Sequence, residues 1–345
     1  MTSLDGVAMR PRAREASGRG ACRLCGSTAQ RRLFAVRDLN YGTTQEEFSL
    51  VRCLHCRLVS LSPQPESLDR YYGTGYLPYQ PGAEGAPFKP AVREALRRLY
   101  GYPGSAPTAA WSWSRIRALP RQLEVQRKNG YFFYRIPYAA DTRILDVGCG
   151  NGAYLLSLKA LGWAAGQLYG VDLVTDASTL RRLRDLERLH IVEGEFLEAP
   201  LPEEAFDVIA MRHVLEHLRD PVAVMRRVFR LLRPGGRVLI NVPNFKSLEA
   251  LVLFRERWRH IDAPRHLFHY SPKPMRVLLQ TAGLRTERVM LKRSSSAFMR
   301  SLERSGYRVP HAVEKYVIRK LLLLFALFGY SGELLCAATR PREST

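Results

Sequence analysis

The stretch Ile144-Leu145-Asp146-Val147-Gly148-Cys149-Gly150-Asn151-Gly152 decides the fold of this 345-residue chain. It predicts a short apolar strand with a carboxylate near its end, followed by a turn with three glycines at alternate positions. Glycine tolerates positive φ and lets a ligand approach the backbone, where a Cβ would collide with it. The turn is therefore expected to hold a nucleotide-like cofactor. Because Gly148, Gly150 and Ala153 also satisfy the G-x-G-x-x-G/A pattern, the glycines alone leave an NAD site open.

Four further apolar segments follow in the order that a parallel α/β sheet requires. They span residues 167–172, 190–196, 206–211 and 231–244. The second strand ends in Asp172, which is placed to accept hydrogen bonds from ribose hydroxyls. The third is followed by Glu195 and Phe196, an acid and an aromatic ring that suit an adenine. Together the segments predict a cofactor that contains adenosine.

Over residues 143–244 the chain resembles the class I S-adenosylmethionine-dependent methyltransferases. It is most similar to the branch whose fourth strand is followed by His-Val-Leu-Glu-His, here residues 213–217. The resemblance implies an α/β, Rossmann-like sheet of seven strands with helices on both faces, and S-adenosylmethionine as methyl donor. It implies cofactor-binding roles for Asp146, Gly148, Gly150, Asp172, Glu195, Phe196 and Met211. Glu195 stands where the family more often has Asp.

Two C-x-x-C pairs near the amino terminus predict a small zinc ribbon. Each pair, Cys22 with Cys25 and Cys53 with Cys56, places two thiolates about one turn apart, as a tetrahedral zinc site requires. Disulfides are the alternative, but no other cysteines cluster nearby. The first twenty residues have no apolar signal-peptide core, so a reducing, cytoplasmic location is expected. His55 is either a spare ligand or an exposed turn residue.

A zinc ribbon joined to this core resembles a bacterial group that includes sugar C-methyltransferases and enzymes of polysaccharide and natural-product pathways. Cys25-Gly26-Ser27 and the tyrosine-rich segment Tyr71–Tyr76 carry this likeness. Arg57 departs from it, since a glycine commonly follows the last cysteine. The remaining cysteines, Cys149 and Cys336, lie in apolar contexts and are expected to be small buried hydrophobes.

Composition divides the chain into four parts. These are a disordered basic tail at 1–20, the zinc ribbon at 21–76, a Pro-, Gly- and Ala-rich linker with lid helices at 77–130, and the methyltransferase domain at 131–345. Within the linker we expect a helix at Pro90–Tyr100 and a helical pattern over 112–129, which either closes over the crevice or packs on the core. Two strands near the end, Thr286–Lys292 and Glu333–Thr339, complete the seven-stranded sheet.

The segment Trp258–Tyr270, with three histidines, two arginines and an acid beside aromatic residues, is too polar for a core helix. We expect a substrate loop over 255–272. Methyl transfer is an in-line displacement, so a base near the acceptor is useful, and a neutral histidine titrates in the right range. His266 and His213 are the catalytic candidates; the alternative for each is a hydrogen-bonded structural histidine.

The stretch His213-Val214-Leu215-Glu216-His217 also matches the H-x-x-E-H pattern of some metalloproteases. Its position after a sheet strand argues against that reading. Related quinone O-methyltransferases with a similar Glu-His segment imply instead a divalent cation that orients a substrate oxygen. Here His213 replaces one of their acids, and Glu216 and His217 are the remaining candidate ligands.

Charge and hydropathy bear on partners. The net charge is +21 and the pI about 10.1, but arginine is spread along the whole chain, which favours solvated basic faces over a nucleic-acid stripe. Such a field favours a phosphorylated or lipid-linked acceptor. The apolar run Leu321–Tyr330 is too short to span a membrane, for which about 20 residues are needed. It predicts a buried helix beneath the last strand, with a peripheral membrane contact or an acceptor pocket as alternatives.

The sequence thus favours methyl transfer to oxygen or carbon of a small molecule such as a sugar, a glycan precursor or a natural product. The alternative is an RNA methyltransferase that uses the zinc ribbon for substrate binding. Against it, no Asn-Pro-Pro-Tyr-type segment follows the fourth strand. A non-catalytic adaptor is disfavoured, because the glycines of the turn and both ribose-facing acids are intact.

Overall fold

The computed structural model describes residues 20–72, 90–103, 135–173 and 177–342. The helix expected at Pro90–Tyr100 is present with these bounds. The expected basic tail and the helical pattern over 112–129 lie outside the described residues, so both stay predictions.

A seven-stranded sheet carries the carboxyl-terminal part of the chain. Its strands are β4 (Ile144–Val147), β5 (Leu168–Asp172), β6 (His190–Glu193), β7 (Phe206–Arg212), β8 (Leu232–Pro243), β10 (Arg285–Lys292) and β11 (Glu333–Thr339). The spatial order is β10-β11-β8-β7-β4-β5-β6, with parallel pairing from β8 to β6 and antiparallel pairing of β11 with both neighbours. The direction of the strand order changes between β4 and β7. In open α/β sheets this is where a ligand crevice forms, at the carboxyl ends of the strands.

Both faces of this sheet are covered by helices, and successive residues of a strand point to opposite faces. In β7, Ile209 and Met211 pack with helix Pro221–Leu231, while Val208 and Ala210 pack on the other face with helix Ala153–Ala160. A strand buried on both faces needs apolar side chains at successive positions, which the sequence supplies. The expected Rossmann-like sheet with helices on both faces is confirmed.

The helices of eight residues or more in the described ranges are Pro90–Tyr100, Ala153–Ala160, Pro221–Leu231, Pro272–Thr281, Ser295–Arg304 and Arg319–Leu327. Local sequence explains where they begin. Asp220 accepts hydrogen bonds from the backbone N–H groups of Val222 and Ala223, and Pro221 occupies the first turn. A side-chain cap and an early proline are typical of a helix start.

The amino-terminal unit forms a second sheet of β1 (Gln30–Val36), β2 (Phe48–Cys53), β3 (Val59–Ser62) and β9 (Phe268–His269). The fourth strand therefore comes from the expected substrate loop, and Leu61 N–H also donates to the Leu267 carbonyl at 2.9 Å. Residues 261–270 of that loop are all buried. The ribbon is thus built into one wall of the methyltransferase unit.

The apolar run near the carboxyl terminus lies in helix Arg319–Leu327. Leu322 is buried, as expected for a helix beneath the sheet, but Leu324 and Phe328 are exposed. Among the described residues, no helix combines the length and apolar character that a membrane crossing demands.

Candidate functional site

The glycine turn leaves β4 at the carboxyl edge of the sheet. Gly148, Gly150 and Gly152 all have positive φ, at 69°, 50° and 77°. A Cβ on Gly148 would lie 2.3 Å from Val214 Cγ2, so packing between the turn and the segment after β7 already requires glycine there. The expected steric role therefore includes a close contact within the protein as well as room for a ligand.

Two carboxylates flank this turn. Asp146 is buried in β4, and its Oδ2 has no hydrogen-bond partner among the described residues. Burial raises the pKa of Asp146 to about 7, opposed by Arg212 and reinforced by Asp172. Asp172, at the end of β5, accepts a hydrogen bond from Gly150 N–H at 2.7 Å through Oδ2. The structure thus brings both expected carboxylates to one crevice.

The other residues expected to contact the methyl donor lie further along the same edge of the sheet. Phe196 and Met211 are buried in the core beneath the crevice, whereas Glu195 is exposed in the turn after β6. The Glu195 carbonyl accepts from Ala199 N–H at 2.8 Å, which fixes this turn. All three keep their expected roles as predictions.

His213 stands directly after β7, next to Val214, which packs against the glycine turn. Its φ of 56° is left-handed, a conformation that non-glycine residues adopt at some cost. Its Nδ1 lies 3.3 Å from Glu216 Oε1 and its Nε2 lies 3.0 Å from Asn241 Nδ2. Burial disfavours the charged ring, but the Glu216 carboxylate outweighs burial and raises the pKa of His213. Both ring nitrogens are therefore engaged.

His217 and His266 meet beside Glu216. Their ring centroids are 4.6 Å apart, and one ligand atom from each of the three residues lies within 4.8 Å of the others. His217 Nδ1 lies 3.1 Å from the Arg265 carbonyl and His266 Nδ1 lies 2.9 Å from the His260 carbonyl. A carbonyl only accepts, so both Nδ1 atoms carry the proton and both Nε2 atoms keep a lone pair.

Charge distribution in this cluster favours neutral imidazoles. Burial lowers the pKa of His217 and lowers that of His266 well below its usual range. Glu216 is buried, and its Oε2 has no hydrogen-bond partner among the described residues. Two oriented lone pairs and an unpartnered carboxylate oxygen form a set that can accept a proton or bind a divalent cation.

Arg265 anchors this cluster to the amino-terminal unit. Its guanidinium is fully buried and bonds Asp38 Oδ1 at 2.6 Å and Asp262 Oδ1 at 2.9 Å. Asp38 follows β1 and also accepts from Thr43 N–H at 2.8 Å. Burial alone would raise the pKa of Asp38, but the Arg265 guanidinium holds it well below its usual range. Asp38 was not among the predicted site residues, because nothing in its local sequence signals a partner 227 positions away.

Other contributors to the site were also missed. Tyr72 Oη lies 2.9 Å from His217 Nδ1, and Trp258 Nε1 donates to Glu249 Oε2 at 3.3 Å. Glu333, in β11, accepts from Lys292 at 3.1 Å, which with nearby histidines outweighs burial and lowers its pKa to about 2. Glu333 was expected only as part of a strand, and no role or element was predicted for Glu249.

The four ribbon cysteines converge as expected. Cys22 Sγ lies 3.6 Å from Cys56 Sγ, and Cys25 Sγ lies 3.6 Å from Cys53 Sγ. Ligands about 2.3 Å from a tetrahedral zinc ion lie about 3.8 Å apart, so the sulfur positions fit that metal. All four are free thiols, and the buried Cys149 and Cys336 lie away from them. His55 is exposed in the second knuckle turn and outside the cluster.

A family of proteins described as "Methyltransferase domain" matches residues 112–289, just over half of the chain. The chain belongs to this methyltransferase family. The expected methyltransferase domain is thereby confirmed, whereas membership of the sugar and natural-product group is not.

Curated relatives of this methyltransferase are named for an oxygen acceptor. "Ubiquinone biosynthesis O-methyltransferase" of Xylella fastidiosa is 36% identical over 130 residues, which is 36% of this chain and 50% of that protein. Its counterpart in Xanthomonas euvesicatoria pv. vesicatoria is 32% identical over 162 residues, 44% of this chain and 65% of that protein. The chain thus spans half to just under two thirds of these relatives.

Solved structures similar to this methyltransferase include a complex of the Haloferax volcanii Trm112 methyltransferase activator with a putative methyltransferase. That match has a TM-score of 0.47 at 18% identity and covers 66% of this chain and 96% of the other. The geranyl diphosphate C-methyltransferase of Streptomyces coelicolor A3(2) matches with a TM-score of 0.44 at 15% identity. That match covers 74% of this chain and 100% of the other.

Proposed function

We propose that this protein transfers the methyl group of S-adenosylmethionine to an oxygen or carbon atom of a small-molecule acceptor. One observation carries the proposal: the glycine turn between Asp146 and Asp172 packs through Gly148 against Val214, in the short segment that also supplies Glu216 and His217 to the cluster with His266. When bound, the donor supplies an electrophilic methyl group on a sulfonium. The protein has to hold the acceptor about 3 Å from that carbon and remove a proton where needed.

The donor side is assigned to the residues around the glycine turn. Asp146 Oδ2 is a buried acceptor without a hydrogen-bond partner among the described residues, which suits a positively charged or N–H donor group of the methionine part. We assign Asp172 to the ribose, and Gly148 and Gly150 to the close approach of the turn to the ligand. Glu195, Phe196 and Met211 are proposed around the adenine.

The acceptor side is assigned to the histidines. Burial keeps the His266 ring neutral, and one of its ring nitrogens lies within 4.8 Å of ligand atoms of Glu216 and His217, so it is the preferred base. His213 has both nitrogens engaged, so we assign it the positioning of Glu216 rather than proton transfer. A base whose charged form is disfavoured remains in the accepting state at neutral pH.

A divalent cation at Glu216, His217 and His266 is a second route to the same chemistry. Each histidine donates through Nδ1 to a backbone carbonyl, which is how metal-binding histidines are commonly oriented. Such a cation would orient an acceptor oxygen and favour its deprotonated form. Structural zinc at the four ribbon cysteines is a separate proposal.

Oxygen is the favoured acceptor atom because the curated relatives carry O-methyltransferase names. A sugar, a glycan precursor or a natural product remains the proposed acceptor class, and the net charge of +21 favours a phosphorylated or lipid-linked member. We further propose a cytoplasmic location. RNA is the alternative acceptor; binding of total RNA that persists in a gel shift at moderate salt would favour it.

Calorimetry tests the donor site. We expect S-adenosylmethionine to bind and NAD to be ignored, with affinity for the methyl donor about tenfold or more lower in Asp172→Ala, because a buried charge-assisted hydrogen bond is lost. The exposed neighbour Glu193→Ala is the matched control and should bind normally. Absence of donor binding, or preference for NAD, would refute the proposal.

Titration with Mn²⁺, followed by electron paramagnetic resonance, tests the cation. We expect one site beyond any metal at the ribbon, lost in Glu216→Gln and kept in the exposed control Glu198→Gln. No such site in the wild-type protein would leave His266 as a base acting directly on the acceptor. Methyl-donor binding should be equal in both variants.

A further inference from the structure

The helical segment at 311–327 exposes an apolar face to solvent. Ile318 and Leu322 point into the core, whereas Val317, Leu321, Leu324 and Phe328 are exposed, Phe328 by 75%. Their spacing of four, three and four residues places the exposed set on one stripe of a helix. Apolar side chains on both the core side and the solvent side of a helix are typical of an element that contacts lipid as well as protein.

A second exposed apolar group adjoins the first. Leu251, Val252 and Leu253 follow one another in an irregular helical turn, and Val252 is exposed by 62%. Leu248 N–H donates to the Tyr330 carbonyl at 3.2 Å, so this turn begins beside the end of helix Arg319–Leu327. We call the two groups together the apolar face. Exposed apolar residues on a monomer surface are more often scattered singly than gathered in this way.

Cations border the apolar face. Lys320 is exposed within the helix, Arg255 and Arg257 are exposed just after the second group, and Arg308 is exposed just before the helical segment. Between residues 295 and 330 the chain has six Lys and Arg against two Glu. Apolar side chains rimmed by cations are complementary to a membrane surface that carries anionic lipid.

We propose that the apolar face docks this protein on an anionic membrane surface. The helix would lie in the interface with Leu324 and Phe328 among the acyl chains and Lys320 at the headgroups. A second copy of the chain fits less well, since each copy brings +21 charges and the cationic rims would face each other. The inference goes beyond the proposed function and does not depend on it.

The site lies next to this face. Glu249 belongs to the same turn as Leu251–Leu253 and accepts a hydrogen bond from Trp258 Nε1, at the start of the acceptor-side segment. Docking would therefore bring the acceptor side of the crevice close to the headgroup layer. An acceptor with a lipid tail could then reach the site without leaving the membrane.

Co-sedimentation with vesicles tests the proposal on the full chain. We expect binding to phosphatidylcholine vesicles that contain phosphatidylglycerol, much weaker binding to pure phosphatidylcholine, and a decrease when NaCl rises from about 0.1 M to about 0.5 M. The double variant Leu324→Ser, Phe328→Ser should lower the partition coefficient about tenfold or more. It removes two apolar side chains that would be buried among the acyl chains of the bound state.

Leu186→Ser is the matched control, since Leu186 is 76% exposed but lies far from the apolar face in the turn Arg182–Leu186. It should bind vesicles like the wild type, and circular dichroism should show all variants folded. Equal binding to both vesicle types, equal loss in the control, or no binding at all would overturn the proposal. A dimer in light scattering that the double variant dissociates, without vesicle binding, would assign the face to self-association and equally overturn it.

Discussion

At the scale of single residues, Asp146 links donor binding to pH. Burial raises its pKa to about 7 in the free protein, so it is mostly protonated at pH 6 and mostly ionised at pH 8. A bound cationic donor favours the ionised form and lowers that pKa. Affinity for S-adenosylmethionine is then expected to be about tenfold weaker at pH 6 than at pH 8, levelling off above the free-state pKa.

Calorimetry across this range measures the effect, and titrations in two buffers of different ionisation enthalpy report proton release on binding. Asp146→Asn removes the titrating group and should bind weakly with little pH dependence. If the wild-type affinity is flat from pH 6 to pH 8, Asp146 does not contact the donor as proposed.

Also at this scale, the buried ion pair of Arg265 with Asp38 predicts a stability effect. Asp38→Asn leaves a buried guanidinium with one carboxylate partner fewer, which is expected to cost about 3 kcal/mol of unfolding free energy. The matched control is Arg37→Gln, which breaks an exposed pair with Glu47 and should cost less than about 1 kcal/mol. Urea unfolding measures the loss of unfolding free energy in each variant. Equal losses in the two variants would contradict the role given to Asp38.

At the scale of elements, the strands of the large sheet and the glycine turn follow from local sequence. Their apolar residues recur at successive positions, and glycine, proline and aspartate mark their ends, so only neighbours along the chain were needed. The bounds of Thr286–Lys292 differ by one residue from the observed Arg285–Lys292, and those of Glu333–Thr339 agree. The four cysteines were equally readable, since the C-x-x-C spacing carries its own geometry.

What could not be predicted depends on distant contacts between elements. The polar residues of 258–270 predicted a substrate loop, yet residues 261–270 are buried, because β3 pairs with Phe268–His269 and Arg265 bonds Asp38. Pairing between residues about two hundred positions apart has no signature in a single sequence. For the same reason Tyr72 and Glu249 were not among the expected site residues.

At the scale of the whole molecule, the ribbon pairs with the segment that we propose for the acceptor side, so removal of a ribbon metal is expected to loosen that segment. The cysteine cluster closes the ribbon, the ribbon supplies β3, and β3 pairs with β9 beside His266. Structural zinc sites contribute folding free energy directly. Treatment with a zinc chelator is therefore expected to speed amide hydrogen exchange about tenfold or more in peptides from both 30–62 and 258–270.

Peptides from 144–172 provide the internal control, since the glycine turn and β5 lie on the other side of the crevice and bond within the large sheet. Their exchange should stay within about twofold of the untreated protein. Restoring zinc should return slow exchange to the first two regions, because the thiols remain reduced and the segments can refold. If 258–270 stays protected while 30–62 opens, the acceptor wall stands without the ribbon, and the ribbon has a purpose other than holding the site together.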